Sequence, residues 1–209
     1  MPERITPRQK TLLAASLLTV GLAGCTPLAK MGVGPDIAQP GTRTTAGRLN
    51  DFNLAQSVRV DIYRDEPEAS NANIEVNAFY QVILLTGEVP TIDAKERIGE
   101  IARRYNDVKV VHNELTIGPS RSLAARLEDD LLERKADFSL FTADGLRSSQ
   151  AKVVAVNGTL YLMGKLSQRE ADRAIQRLQA LDGLRRIIKI VDLVPEPPVA
   201  SETQAAQQP

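Results

Sequence analysis

Two side chains with reactive potential occur once each in this chain. Cys25 is the only thiol and His112 the only imidazole among 209 residues. A lone thiol cannot close an internal disulfide, and a lone histidine without a cysteine partner does not make a zinc set. His112 falls on an expected strand, out of phase with Val111, Leu115 and Ile117, which directs it to solvent. Carboxylates are plentiful, but Glu128-Asp129-Asp130 on a helix point in different directions and read as a solvated surface. Gly32-Val33-Gly34 lacks the further Gly, the Lys and the helix start of a phosphate loop. No catalytic constellation, no metal set and no cofactor is expected, so the chemistry of interest is that of Cys25 and of the clustered arginines.

Cys25 stands where an apolar run ends. A basic start (Arg4, Arg8, Lys10) and the apolar segment Thr11 to Ala23 precede it, with small residues beside it, as in a secretory signal peptide. The run is too short to cross ~30 Å of hydrocarbon as a helix, which needs about 20 residues. Leu22-Ala23-Gly24-Cys25 resembles the bacterial lipobox. The resemblance implies cleavage before Cys25, which would carry two acyl chains on its sulfur side and a third on its amine. More than one chain gives stable anchoring, at ~0.8 kcal/mol per buried CH2. Thr26, where an Asp would favour inner-membrane retention, implies the outer membrane and its periplasmic face. The alternative is an ordinary signal peptide followed by an unrelated cysteine.

Composition narrows the partners. The whole chain has 26 basic and 26 acidic residues; removing Arg4, Arg8, Lys10 and Glu3 with residues 1–24 leaves 23 and 25, a net of −2. Such a balance offers no global attraction to nucleic acid or to anionic lipid, so charge-driven binding needs a local patch. Aromatic residues make up 4% and Trp is absent, which argues against stacking platforms for single-stranded nucleic acid.

Periodicity then places the elements. Residues 25–49, with Pro27, Pro35 and Pro40, read as a tether, although Met31 and Ile37 could pack on the folded part. Asn50 to Glu66 reads as a helix through Leu54, Val58 and Ile62; Asn73 to Ala78 and Gln81 to Gly87 as strands; the stretch opened by Pro90-Thr91 as a helix through Ala94, Ile98 and Ile101; Val108 to Ile117 as a strand. The order repeats. Ser120 to Lys135 is a helix with Leu123, Leu127 and Leu131 on one stripe. Lys152 to Val156 and Thr159 to Gly164 form a hairpin around Asn157-Gly158, a turn signal because both residues tolerate positive φ. Ser167-Gln168-Arg169-Glu170 is a capping box, Gly183 ends its helix, and Leu184 to Val194 is the last strand. Leu85-Thr86-Gly87-Glu88-Val89 aligns with Leu162-Met163-Gly164-Lys165-Leu166. The chain therefore reads as α+β: two α-β-β-α-β copies at 50–118 and 119–194, each a three-stranded mixed sheet covered by two helices, then a Pro- and Gln-rich tail at 195–209 that cannot bury enough apolar surface to order itself. Asp137 to Gln150 breaks the symmetry, as a loop with Phe138, Leu140, Phe141 and Leu146 that either folds back on the core or meets a partner.

The duplicated unit, with Gly87 and Gly164 at the hairpin exits and Val156 to Gly164 followed by Arg169-Glu170-Ala171, resembles a pair of BON domains. With the lipobox it is similar to the dual-BON outer-membrane lipoproteins of the DolP type. That resemblance implies a non-catalytic protein on the periplasmic face of the outer membrane, binding anionic phospholipid through its second domain and supporting envelope integrity. An assembly protein that binds an envelope protein partner, through the Phe138 to Leu146 loop or a sheet edge, is the alternative. Candidate lipid-binding residues are Arg121, Arg126, Arg134 and Lys135 on the first helix of the second copy, and Arg169, Arg173 and Arg177 at i, i+4, i+8 on the last helix. Arg185-Arg186 with Lys189 form a further basic group. Glu128, Asp129, Asp130 and Glu133 oppose an anionic surface, and a solvated helix of mixed charge is the other reading of that helix.

Overall fold

The computed structural model describes residues 41–141 and 146–196. The expected signal segment, Cys25, residues 26–40 of the expected tether and the tail beyond 196 lie outside the described residues. Helix α1 (Thr45–Asp65) starts within the stretch read as tether, where the Thr44 side chain accepts a hydrogen bond from the Gly47 amide. A short 3-10 turn (Pro67–Asn71) leads to the antiparallel hairpin β1 (Asn73–Phe79) and β2 (Val82–Val89). Helix α2 (Ile92–Arg103) follows, capped by Thr91. The last strand of this copy is interrupted and runs parallel to β2 as two pieces, β3 (Val110–Asn113) and β4 (Thr116–Ile117).

The second copy has α3 (Leu123–Phe141), the antiparallel hairpin β5 (Ala151–Val156) and β6 (Thr159–Leu166), α4 (Gln168–Gln179) and β7 (Arg186–Leu193), which pairs with β6 in parallel without a break. Ser167 and Glu170 form the capping box that starts α4, each side chain taking the other residue's amide.

Helix α3 is longer than its sequence suggests. The stretch from Asp137 to Phe141, expected as loop, is helical. It holds no Gly or Pro, and Leu140 extends a buried stripe through Leu132 and Ala136 at i, i+4, i+8. The stripe Leu123, Leu127 and Leu131, which the sequence offered as the core side, faces outward; these residues are 67%, 57% and 53% exposed. Of the expected loop, Leu146 packs on the second core, while Ser149 and Gln150 are buried.

Alternation along the strands builds four layers. Ile74, Ala78, Ile83 and Leu85 of the first sheet point at α1 and α2, where they meet Val58, Ile62, Ile98 and Ile101. Val153, Ala155, Leu160 and Leu162 of the second sheet point at α3 and α4. The opposite faces meet each other: Phe79 and Leu84 pack with Val154, Tyr161, Met163 and Ile190. The two copies therefore share a core between their sheets, which offsets the small core each owns. Gly87 (φ +113°) occurs where a Cβ would run into the Asn73 carbonyl of the neighbouring strand, and this close approach accounts for glycine at the hairpin exit.

Candidate functional site

The site is built on α3 and on what fastens it. Asp129 on α3 faces inward and takes the amides of Asn157 and Gly158 at 2.8 and 2.9 Å, clasping the β5–β6 turn. Arg121, eight residues earlier, bonds Asp129 and also Glu88 of the first copy, at 2.6 Å. Burial alone would raise the Asp129 carboxyl; the Arg121 guanidinium and the two amides outweigh it and hold it below the usual aspartate range. The first copy repeats the device. Asp51 on α1 takes the amides of Tyr80 and Gln81, each at 2.9 Å, and pairs with Arg43, again eight residues earlier, at 2.8 Å. Tyr80 (φ +53°) and Gln81 (φ +66°) have the left-handed backbone of a two-residue hairpin turn, as do Asn157 (φ +50°) and Gly158 (φ +69°). The sequence carries the common eight-residue Arg–Asp spacing as the one signal of this device; Asp129, expected on a solvated surface, is buried by it, as is Asp51.

The clasp sorts the basic candidates. Arg121 is neutralised within the fold. Arg126 is half-buried and reaches Asn73 Oδ1 of the first copy at 3.5 Å and the Arg121 carbonyl at 3.3 Å. Arg134 and Lys135 are exposed. On α4, Arg169 and Arg173 are exposed, and Arg169 lies 3.9 Å from Glu196. Arg177 is half-buried and donates to the Ser139 carbonyl of α3 at 3.1 Å, tying the two helices together. The seven candidates thus divide into residues turned into the fold (Arg121, Arg126, Arg177) and residues that face water.

The acidic residues of α3 divide in the same way. Asp129 is spent in the clasp, and Glu133 accepts the Ala155 amide at 3.0 Å. Burial pushes the Glu133 and Asp137 carboxyls above their usual range. Glu128 and Asp130 remain exposed. At 100° per residue, Leu123, Leu127, Leu131, Arg134 and Phe138 fall on one side of α3, so the outward face is apolar with Arg134 inside it, Asp130 at one margin and Lys135 with Glu128 at the other. Phe138, expected in a loop beyond Lys135, adds an aromatic to this face of the longer helix and is 71% exposed. Beside Leu131 and Lys135 opens a cavity of about 380 Å3, also lined by Asn157, Gly158 and Arg185.

Helix α1 exposes apolar residues too: Leu49, Phe52, Val60 and Tyr63. Gln56 and Arg59 fall among them, so that face is broken at its middle. His112, expected to face solvent, is half-buried and pairs with Leu84 in register, which places it on the side of the sheet turned to the other copy. Ile117, expected on the core side with Val111 and Leu115, is 54% exposed. Among the described residues no cluster of three or more His, Cys, Asp or Glu is placed to hold a metal ion, and no helix is long and apolar enough to cross a membrane.

The BON domain family model matches this chain twice, at residues 50–119 and 128–195. The chain belongs to the BON domain family. Both BON domains include the hairpin that the aspartate clasp holds. The chain is 28% identical over 174 residues to "Outer membrane lipoprotein DolP" of Haemophilus influenzae, covering 82% of this chain and 90% of that relative. It is 26% identical over 152 residues to the "21 kDa hemolysin" of Actinobacillus pleuropneumoniae, covering 73% of this chain and 78% of the relative.

Proposed function

We propose that this chain is a non-catalytic lipoprotein of the outer membrane, facing the periplasm, that lays α3 of its second BON domain on anionic phospholipid and so supports envelope integrity. In this reading residues 1–24 are cleaved, Cys25 carries the acyl anchor, the tether ends at the Thr44 cap, and residues 195–209 are a tail. The observation that carries it is the outward apolar stripe Leu123, Leu127, Leu131 and Phe138, with Arg134 among them, Lys135 at one margin and Asp130 at the other. An amphipathic helix with cations near its apolar face lies in the headgroup boundary, where each cation contributes about 1 kcal/mol against an anionic leaflet. The lipobox and the kinship with an outer membrane lipoprotein support the location.

Co-sedimentation of the chain from Thr26 tests this, using phosphatidylcholine vesicles with and without phosphatidylglycerol at low and high salt. Binding should need phosphatidylglycerol and weaken with salt. It should be lost in Leu127→Ser/Leu131→Ser/Phe138→Ser, and Arg169→Ser/Arg173→Ser reports whether α4 adds to the same surface. Absence of binding to either vesicle would leave the acyl anchor as the sole membrane contact and remove the proposal for α3.

A further inference from the structure

Strand β7 is the edge of the second sheet, since the order there is β5-β6-β7. It runs for eight residues without a bulge or a proline. Arg186 and Val194 donate their amides to Gly158 and Leu166 across β6. Amide direction alternates along a strand, so the amides of Ile187, Lys189, Val191 and Leu193 point to the open side. Among the described residues no strand pairs with this edge, and an edge of this length is a template for another strand.

Beside that edge, between β7 and α4, lies an open groove of about 360 Å3. Ile175, Leu184 and Ile187 give it apolar walls, and Arg185, Arg186 and Lys189 border it against one carboxylate, Asp172. An edge strand flanked by a helix, with a groove between them, is the geometry that binds extended peptides by strand addition, with backbone bonds giving affinity and the groove selecting side chains.

The first copy lacks this arrangement. Its edge strand stops after four residues at Asn113, and the Asn113 side chain crosses to the helix to donate to the Lys95 carbonyl at 2.8 Å. Gly99 makes room for that amide; a Cβ there would come 2.7 Å from it. The corresponding groove holds Lys95 and Arg103 against Glu96 and Glu100, balanced in charge.

We infer that the β7 edge with the β7–α4 groove is a docking site for an extended, acidic segment of a protein partner, which adds to the second sheet as a fourth strand. Charge selects the occupant: three cations against one anion favour a segment carrying Glu or Asp, with an apolar side chain for the Ile175 and Ile187 walls. The surface is distinct from the α3 face and does not depend on the membrane reading.

The test uses the full chain in mild detergent and a fluorescein-labelled nine-residue peptide, Val-Thr-Glu-Thr-Val-Thr-Glu-Thr-Val, whose odd positions put Val and Glu on one face of the added strand, read by anisotropy and by amide hydrogen exchange. The peptide should bind and slow exchange at Ile187, Lys189, Val191 and Leu193. The same peptide with Lys for Glu should bind at least tenfold more weakly. Lys189→Pro removes one outward amide while sparing the bonds to β6 and should weaken binding at least tenfold. Should that variant unfold, Arg186→Glu/Lys189→Glu, which alters exposed side chains only, gives the same reading. Failure of the acidic peptide to bind, protection elsewhere in the chain, equal binding of the Lys peptide, or protection of β7 by phosphatidylglycerol vesicles instead would each overturn the inference.

Discussion

The two BON domains share one plan and differ where each meets the outside. The first interrupts its edge strand: it breaks at Glu114-Leu115, and Asn113 is latched to α2. The second leaves eight residues of edge open beside a basic groove. The first helix of the first domain sets Gln56 and Arg59 among its exposed apolar residues, whereas α3 sets the single cation Arg134 among Leu123, Leu127, Leu131 and Phe138. What stays constant is internal: an aspartate on the first helix clasping a hairpin turn, with an arginine eight residues before it. The two copies share the device that assembles the domain and differ at their outer surfaces.

The largest expected effect tests the shared part. Asp129→Ala leaves two turn amides without their acceptor and Arg121 with Glu88 alone, and should lower unfolding free energy by about 3 kcal/mol, the scale for breaking a buried pair. Asp51→Ala should cost a similar amount, and urea denaturation compares the two. Asp129 has a depressed carboxyl pKa. Its contribution is therefore complete above the ordinary aspartate range and is lost as pH falls through the depressed value. Asp129→Asn should flatten that part of the acid profile.

The next comparison sets the two first helices against each other. Removing Leu127, Leu131 and Phe138 as serines should reduce binding to phosphatidylglycerol vesicles by about a hundredfold, since each apolar side chain withdrawn from lipid costs about 1–3 kcal/mol and some contact is retained. Leu49→Ser/Phe52→Ser on α1 should change it less than twofold. Equal losses would erase the distinction between the domains.

A smaller effect sharpens the same contrast. Glu133 and Asp137 on α3 have raised carboxyl pKa values, so they take up protons before ordinary carboxylates as pH falls from neutral. Helix α3 becomes less negative, and vesicle binding should rise a few-fold. Glu133→Gln/Asp137→Asn should show the higher binding at neutral pH and lose the dependence.

The smallest concerns the turns. Gln81 has the positive φ that Gly158 occupies in the second domain, and L-residues pay roughly 1–2 kcal/mol in that region. Gln81→Gly should stabilise the chain by about 0.5–1 kcal/mol after the extra freedom of glycine when unfolded is counted, seen as a raised urea midpoint.

The element order, the duplication, the Asn157-Gly158 turn and the capping box were legible because each follows from local pattern. The direction of α3 was not. Leu123-Leu127-Leu131 and Leu132-Ala136-Leu140 are both helical stripes, and spacing alone does not say which is buried. Asp129 settles it, since its reach to the Asn157-Gly158 turn fixes the rotation of the helix, and that contact spans 28 residues of sequence. The first hairpin turn, which sequence places near Phe79-Tyr80, falls at Tyr80-Gln81 for the same reason: the bonds that hold its positive φ come from Asp51, on another element. The Arg121 partnership with Glu88 crosses between domains and lies beyond any local reading.

The segments that enter the two first helices cross over. Arg43, ahead of α1, donates its amide to Ser149 at 3.0 Å in the second domain, and Gly41 packs against the Lys165 backbone there. Arg121, ahead of α3, grips Glu88 of the first. Tension arriving along the chain from its N-terminal side would therefore load both domains at Gly41 and Arg43, where Tyr80 and Asp51 of the first and Ser149 of the second hold the same short segment. The pair would resist such a pull as one mechanical body, loaded across its shared seam rather than unravelled from its end.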